Sequence, residues 1–262
     1  MTDSDIKELL DFWAKEVEEN AFVEFDPIQI PHYYTRQQDI EIAGFFAAIM
    51  AWGQRKTIIK SAQKLMRLMD DAPYDFVMQH EPIDLKRFQS FVHRTLNGED
   101  VVSMISFFRQ HLQGAPSLED LFFTPSVIQA PKGTQIYEAL MAFQTSWAMF
   151  PHQKRTDKHL ASPMKGSACK RLNMYFRWMV RKNSPVDFGI WSKVQMSELL
   201  CPLDVHVQRV ATEMGLMQRS KSDWQSCLEL TDKLRAFRPH DPVFYDFALF
   251  GIGVAKQKEI VG

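Results

Sequence analysis

Pro163-Met164-Lys165-Gly166-Ser167-Ala168-Cys169-Lys170-Arg171-Leu172-Asn173 runs straight into apolar residues at helical spacing, Met174, Tyr175, Trp178 and Met179. A glycine among small residues at a helix start lets the backbone come close to a partner. The unpaired N–H groups there, with the helix dipole, favour an anion. A second helix opens at Pro202-Leu203-Asp204-Val205-His206-Val207-Gln208-Arg209-Val210, with Asp204 at the cap position ahead of the stripe Val207, Val210, Ala211 and Met214. Helical spacing dominates elsewhere too. Ile6, Leu9, Leu10, Trp13 and Val17 form one stripe; Ile58, Ile59, Ala62, Leu65, Met66 and Met69 form another; Val101, Val102, Ile105, Phe108 and Leu112 form a third. Ser117-Leu118-Glu119-Asp120 reads as a helix start, Asp223 caps the stripe Trp224, Cys227, Leu228, Thr231 and Leu234, and Asp241-Pro242 predicts a capped helix through Phe250. Period-2 alternation bounded by hairpin signals is absent, so the chain reads as all-α. The basic stretch from His152 to Ser167 reads as a surface loop.

With 262 residues, 45% apolar and 24% charged, the chain has material for one large domain or two lobes around a core. Its 20 Phe, 6 Trp and 14 Met exclude disorder as the dominant state. The longest uncharged apolar run, Ile42 to Gln54, falls short of the roughly 18–20 residues of a membrane span. The acidic start, Met1-Thr2-Asp3-Ser4-Asp5, lacks the features of a signal peptide, so a cytoplasmic location without membrane attachment is expected. Cys169, Cys201 and Cys227 match no disulfide framework and no zinc or iron–sulfur ligand spacing, so no metal is expected.

The formal net charge of −1 hides an asymmetry: residues 1–30 carry −7 and residues 151–193 carry +8. A basic stretch attracts a phosphate backbone, but it also suits a solvated helix face, and charge alone does not separate the two.

The two quoted segments resemble the helix-hairpin-helix DNA glycosylase superfamily. Gly166, Ala168 and Lys170 match its Gly-x-Gly-x-Lys turn, and Leu203 through Val210 match its Val-Asp-Thr-His-Val-x-Arg-Val segment almost position by position. Ile42 to Gln54 resembles the family's first barrel helix and the Gln-bearing turn after it. The whole chain is most similar to a bacterial family of unknown function related to the archaeal 8-oxoguanine DNA glycosylases. Ala168 replaces the second glycine, Val205 replaces the usual threonine, and no four-cysteine cluster follows.

The resemblance implies a single two-lobed, all-α helix-hairpin-helix glycosylase-like unit with a cleft between its lobes. Residues 36–199 would form a helical barrel lobe with the hairpin, and 1–35 plus 200–262 the second lobe. It implies a monomeric DNA glycosylase with AP-lyase activity that excises an oxidised purine such as 8-oxoguanine from damaged duplex. Lys170 would attack the sugar as a neutral amine and Asp204 would stabilise the developing positive charge. By position, Gln54, Arg177, Asp246 and Phe250 would surround the flipped base. Trp52, Lys165, Gly166, Ser167, Ala168 and Arg171 would contact DNA, and His206 and Arg209 would be structural neighbours. No cofactor is implied beyond a monovalent cation held by hairpin carbonyls. The residues themselves leave other readings open: Asp204 as a simple helix cap, Lys170 as a phosphate contact, Phe250 as core. The protein would then be a DNA-binding scaffold without excision chemistry, or a nucleoside-binding protein.

Overall fold

The computed structural model describes residues 1–261, with side chains for all of them except Asn20 and 256–261. Among the described residues the fold is all-α. Its one sheet is a minimal antiparallel hairpin, Val92–His93 with Leu96–Asn97, too short for any alternation to register in the sequence. Among the described residues no helix is long and apolar enough to cross a membrane. The chain divides into two compact units, residues 23–161, and residues 1–22 together with 162–262.

The unit of residues 23–161 is built on helix Gln37–Met50, which is buried without a break from Ile40 through Met50. That total burial explains why the run Ile42 to Gln54 is so apolar: it is a core helix. Helices Arg55–Leu68 and Pro73–Gln79 pack on it, and Phe45 meets Phe108 of helix Gly98–Leu112 edge-on at 4.9 Å. Two buried carboxylates replace solvent for nearby polar groups. Glu41 accepts from Ser117 Oγ (2.5 Å) and Leu118 N (2.9 Å), which fixes the entry to the short helix Glu119–Phe122. Asp100 accepts from Thr156 Oγ1 (2.9 Å), lies 3.1 Å from His159 Nε2 and pairs with Arg155 at 2.7 Å. The segment read as a loop from His152 is therefore tied down through the 3-10 helix Lys154–His159.

In the other unit, helix Asp3–Val17, closed by the Thr2–Asp5 capping box, packs along helix Tyr245–Val261. Gly251 is needed there: a Cβ would lie 2.5 Å from Val17 Cγ2 and 3.0 Å from Trp13. Helix Lys170–Val180 is buried from Leu172 onward. Its Arg177 and the following Arg181, one turn apart, are 4% and 2% exposed. Arg181 bonds both oxygens of Asp241 at 3.0 Å, Asp187 Oδ2 at 3.0 Å, and Glu18. Arg177 bonds Asp187 Oδ1 at 3.2 Å, and Asp246.

The structure departs from the sequence reading in two places. The divisions fall at 22/23 and 161/162 rather than at 35/36 and 199/200, and Arg177 and Arg181 tie helix Lys170–Val180 to both chain ends. Asp241 does not cap the helix that follows, since its oxygens are spent on Arg181, and that helix opens with a 3-10 turn, Pro242–Phe244. Removing one member of such a network leaves buried charges uncompensated. Arg181→Met is expected to cost about 3–5 kcal/mol, read as a lower urea midpoint with an unchanged slope; a loss under about 1 kcal/mol would show that the network is not held dry.

Candidate active site

Lys170 is the first residue of its helix, and the turn before it is built to reverse the chain. Gly166 (φ +77°) and Cys169 (φ +49°) both take the left-handed conformation, on either side of a single bridge from Ser167 to Asp223. Trp224 N donates to Gly166 O at 3.1 Å, so the turn is seated on the start of helix Trp224–Phe237. That helix also holds the approach to Asp204. Cys201 N donates to the buried Thr231 hydroxyl at 3.0 Å, and Cys227 Sγ lies 3.2 Å from Cys201 O. Asn173 Nδ2 closes the set, 3.7 Å from Cys227 Sγ. One helix face, Trp224–Cys227–Thr231, therefore positions both segments. The sequence pattern marks these residues only as an apolar stripe.

The result is a short separation: Lys170 Nζ lies 3.7 Å from Asp204 Oδ2, with the two side chains 29% and 35% exposed. Asp204 divides its oxygens. Oδ1 accepts from His206 N (2.9 Å) and Val207 N (3.0 Å) as the cap of helix Val205–Glu213, and Oδ2 faces the lysine. Capping and facing the amine are thus compatible roles of one carboxylate. An ion pair this exposed adds at most about 1 kcal/mol, so the buried strut, not mutual attraction, sets the geometry.

Asp246 lies in the same electrostatic neighbourhood. Burial pushes its carboxyl up to about 6 against the partial compensation of Arg177 and Lys170, with Asp204 adding to the rise. It contacts Arg177 through Oδ2, and Cys201 Sγ is 4.0 Å from Oδ1. The residues expected around a flipped base therefore divide. Asp246 feels Lys170 and Asp204 electrostatically but is paired with Arg177, which also lies over Phe247 at 4.4 Å. Phe250 is half-buried, edge-on to Phe22 at 5.7 Å. Gln54 belongs to the unit of residues 23–161, exposed where helix Arg55–Leu68 begins, and half-buried Trp52 lies in that same unit.

Of the expected DNA contacts on the turn, Lys165 and Gly166 are exposed, Ser167 and Arg171 half-buried, and Ala168 is 5% exposed. Ala168 contributes no surface, because its small side chain packs inward and its carbonyl accepts from Asn173 Nδ2 at 3.0 Å. His206 and Arg209 are exposed on helix Val205–Glu213. Within the +8 stretch, Arg155, Arg177 and Arg181 are spent in ion pairs.

The carbonyl oxygens of Ser162, Pro163, Gly166, Ser167, Ala168 and Cys169 already accept hydrogen bonds from the protein. No group of three or more His, Cys, Asp or Glu among the described residues is arranged for a metal. All three cysteines are buried, and burial pushes the Cys169 and Cys227 thiols up to about 12, leaving them unreactive.

Fold and site together define an all-α protein with a solvent-accessible lysine–carboxylate pair at two helix starts. The chain belongs to a family described as a protein of unknown function (DUF2400), which matches residues 26–255 and so takes in both halves of the pair. Comparison with curated proteins found no match, and neither did comparison with solved structures.

Asp246 is expected to titrate near pH 6 when followed by its carboxyl carbon resonance, against an ordinary value of 3.8. Because the folded state then holds this proton more tightly than the unfolded chain, the group weakens the fold as pH rises from about 4 to about 6. Asp246→Asn removes that part of the slope. A midpoint at or below 4 would mean that Arg177 outweighs burial.

Proposed function

We propose that this protein is a DNA glycosylase with AP-lyase activity acting on an oxidised purine of the 8-oxoguanine type in duplex DNA. The observation that carries the reading is the approach of Lys170 Nζ to Asp204 Oδ2 at 3.7 Å, with both groups open to solvent and the second carboxylate oxygen held at a helix cap. In the reaction, the target nucleotide leaves the stack and the bond from its sugar to the base breaks, the electron pair going to the base, which takes a proton from the Lys170 ammonium and leaves neutral. The sugar gains oxocarbenium character, which the fixed Asp204 carboxylate stabilises. The neutral Lys170 amine forms a bond to the anomeric carbon. Ring opening gives an iminium, and loss of a proton from the neighbouring carbon expels the 3′ phosphate by β-elimination. The reading carries with it the helix-hairpin-helix glycosylase architecture, for which the exposed turn at Lys165–Gly166 is the expected phosphate contact.

One observation favours a second reading, a DNA-binding protein without excision. Arg177 and Asp246, expected at the base, are engaged with each other and with Asp187. The two readings separate cleanly. Excision predicts that borohydride traps a covalent adduct with lesion duplex and that Lys170→Ala abolishes it. Asp204→Asn is expected to lower excision by about 10²–10³-fold, while stability stays within about 0.5 kcal/mol because asparagine caps as well as aspartate. Failure to trap on any oxidised, deaminated or alkylated base, with duplex binding untouched by Lys170→Ala, would leave the binding protein.

A further inference from the structure

Helix Arg55–Leu68 carries Arg55, Lys56, Lys60, Lys64 and Arg67 and no acid. At about 100° per residue, Lys56, Lys60, Lys64 and Arg67 fall within an arc of about 80°. Ile58, Ala62, Leu65 and Met66, all buried, occupy the opposite side. The four basic residues of the arc are exposed, and among the described residues none has a carboxylate within ion-pair distance. Arg55 alone is paired, loosely, with Asp26 at 3.9 Å.

This pattern opposes the helix it sits on. Lys56–Lys60 and Lys60–Lys64 are like-charge pairs one turn apart, and Arg55 and Lys56 stand in the first turn, where the dipole disfavours cations. Acids interleaved among the lysines would relieve this repulsion within the helix, and none is present. Repulsion of this kind is relieved by a polyanion.

The turn entering the helix extends the surface. Gly53 has φ +111°, and a Cβ there would lie 2.3 Å from Arg94 Nη1, so the glycine admits the guanidinium. Arg94 is exposed, at φ +56° in the turn of the small hairpin, and lies 4.4 Å from the centroid of the Trp52 ring. The hairpin is secured to the turn by the 3.0 Å contact of His93 Nε2 with Met50 O. A guanidinium held on an indole is a fixed cation with an aromatic backing.

We propose that the arc of Lys56, Lys60, Lys64 and Arg67, continued by Arg94 on Trp52, is a docking surface for the sugar–phosphate backbone of duplex DNA. The proposal rests on reading DNA as the partner. It adds a contact in the unit of residues 23–161, whereas Lys170 and Asp204 belong to the other. The helix presents a lysine about every 6 Å to a partner carrying one charge per about 1.7 Å of axis. A lipid surface fits less well, because no apolar side chain of this helix is exposed to enter the acyl region.

The test measures binding of a short undamaged duplex across a range of salt, for the wild type and for K56Q/K60Q/K64Q. Loss of three phosphate contacts is expected to flatten the slope of log Kobs against log salt by about 2.7, with circular dichroism confirming the fold. R67Q/R94Q, on two different elements, gives an independent flattening of about 1.8 and serves if the triple variant does not fold. Borohydride trapping at saturating lesion duplex is run beside it. A flattened slope supports the surface whether or not an adduct forms, and loss of trapping in the wild type counts against excision alone. An unchanged slope in folded variants, or wild-type binding to anionic vesicles with none to duplex, overturns the proposal.

Discussion

Lys170 and Asp204 are brought together by a third element, and their relation depends on one face of helix Trp224–Phe237. The backbone N–H of Trp224 holds the carbonyl of Gly166, so the turn before Lys170 cannot drift. Two turns further along the helix, the Thr231 hydroxyl takes the N–H of Cys201, while its own proton goes to Cys227 O at 2.7 Å. The contacts of Thr231 with Cys201 and Cys227 are buried, so neither is exchanged cheaply for water. The lysine and the carboxylate inherit their positions from this strut, and the pair remains open to solvent while the support at Thr231 stays dry.

The buried charges around the pair have a different role. Arg177 and Arg181 share Asp187, and each takes further carboxylates from distant parts of the chain. Four acids, Glu18, Asp187, Asp241 and Asp246, face Arg177 and Arg181, with Arg238 adding a looser contact to Asp241 at 3.8 Å. Burial raises the Asp187 and Asp246 carboxyls. Such a network stabilises little in net terms and makes alternative packings costly, because any rearrangement strands a charge. It anchors the end of the helix that Lys170 begins.

Local signals in the sequence carried most of what local physics decides. The stripes at 6–17, 58–69 and 101–112 mark helices Asp3–Val17, Arg55–Leu68 and Gly98–Leu112, and Asp204 and Asp223 both cap the helices that follow them. Elsewhere a long-range partner outweighed the local rule. Asp241 has the sequence context of a cap and serves Arg181 instead. The segment after His152 has a loop's composition and is held by Asp100, more than fifty residues earlier. Thr231 and Cys227 read as core, and their use in positioning Asp204 is set by polar atoms that a hydrophobic stripe does not reveal. The basic face of helix Arg55–Leu68 had a legible signal, the absence of any acid between Ile42 and Met69, masked by the larger charge excess at residues 151–193.

A lysine near a carboxylate is common on protein surfaces, and what sets this one apart is that the amine starts a helix behind a doubly left-handed turn while the carboxylate is held by a cap. If that geometry exists for bond formation to a sugar carbon, the chemistry selects one amine among the lysines of the chain. Reducing the protein with borohydride in the presence of an abasic-site duplex, then mapping the modified residue by peptide mass spectrometry, reads this choice directly. The account predicts an adduct confined to Lys170; an adduct on Lys165 or Lys182, or spread over the exposed lysines, would contradict it.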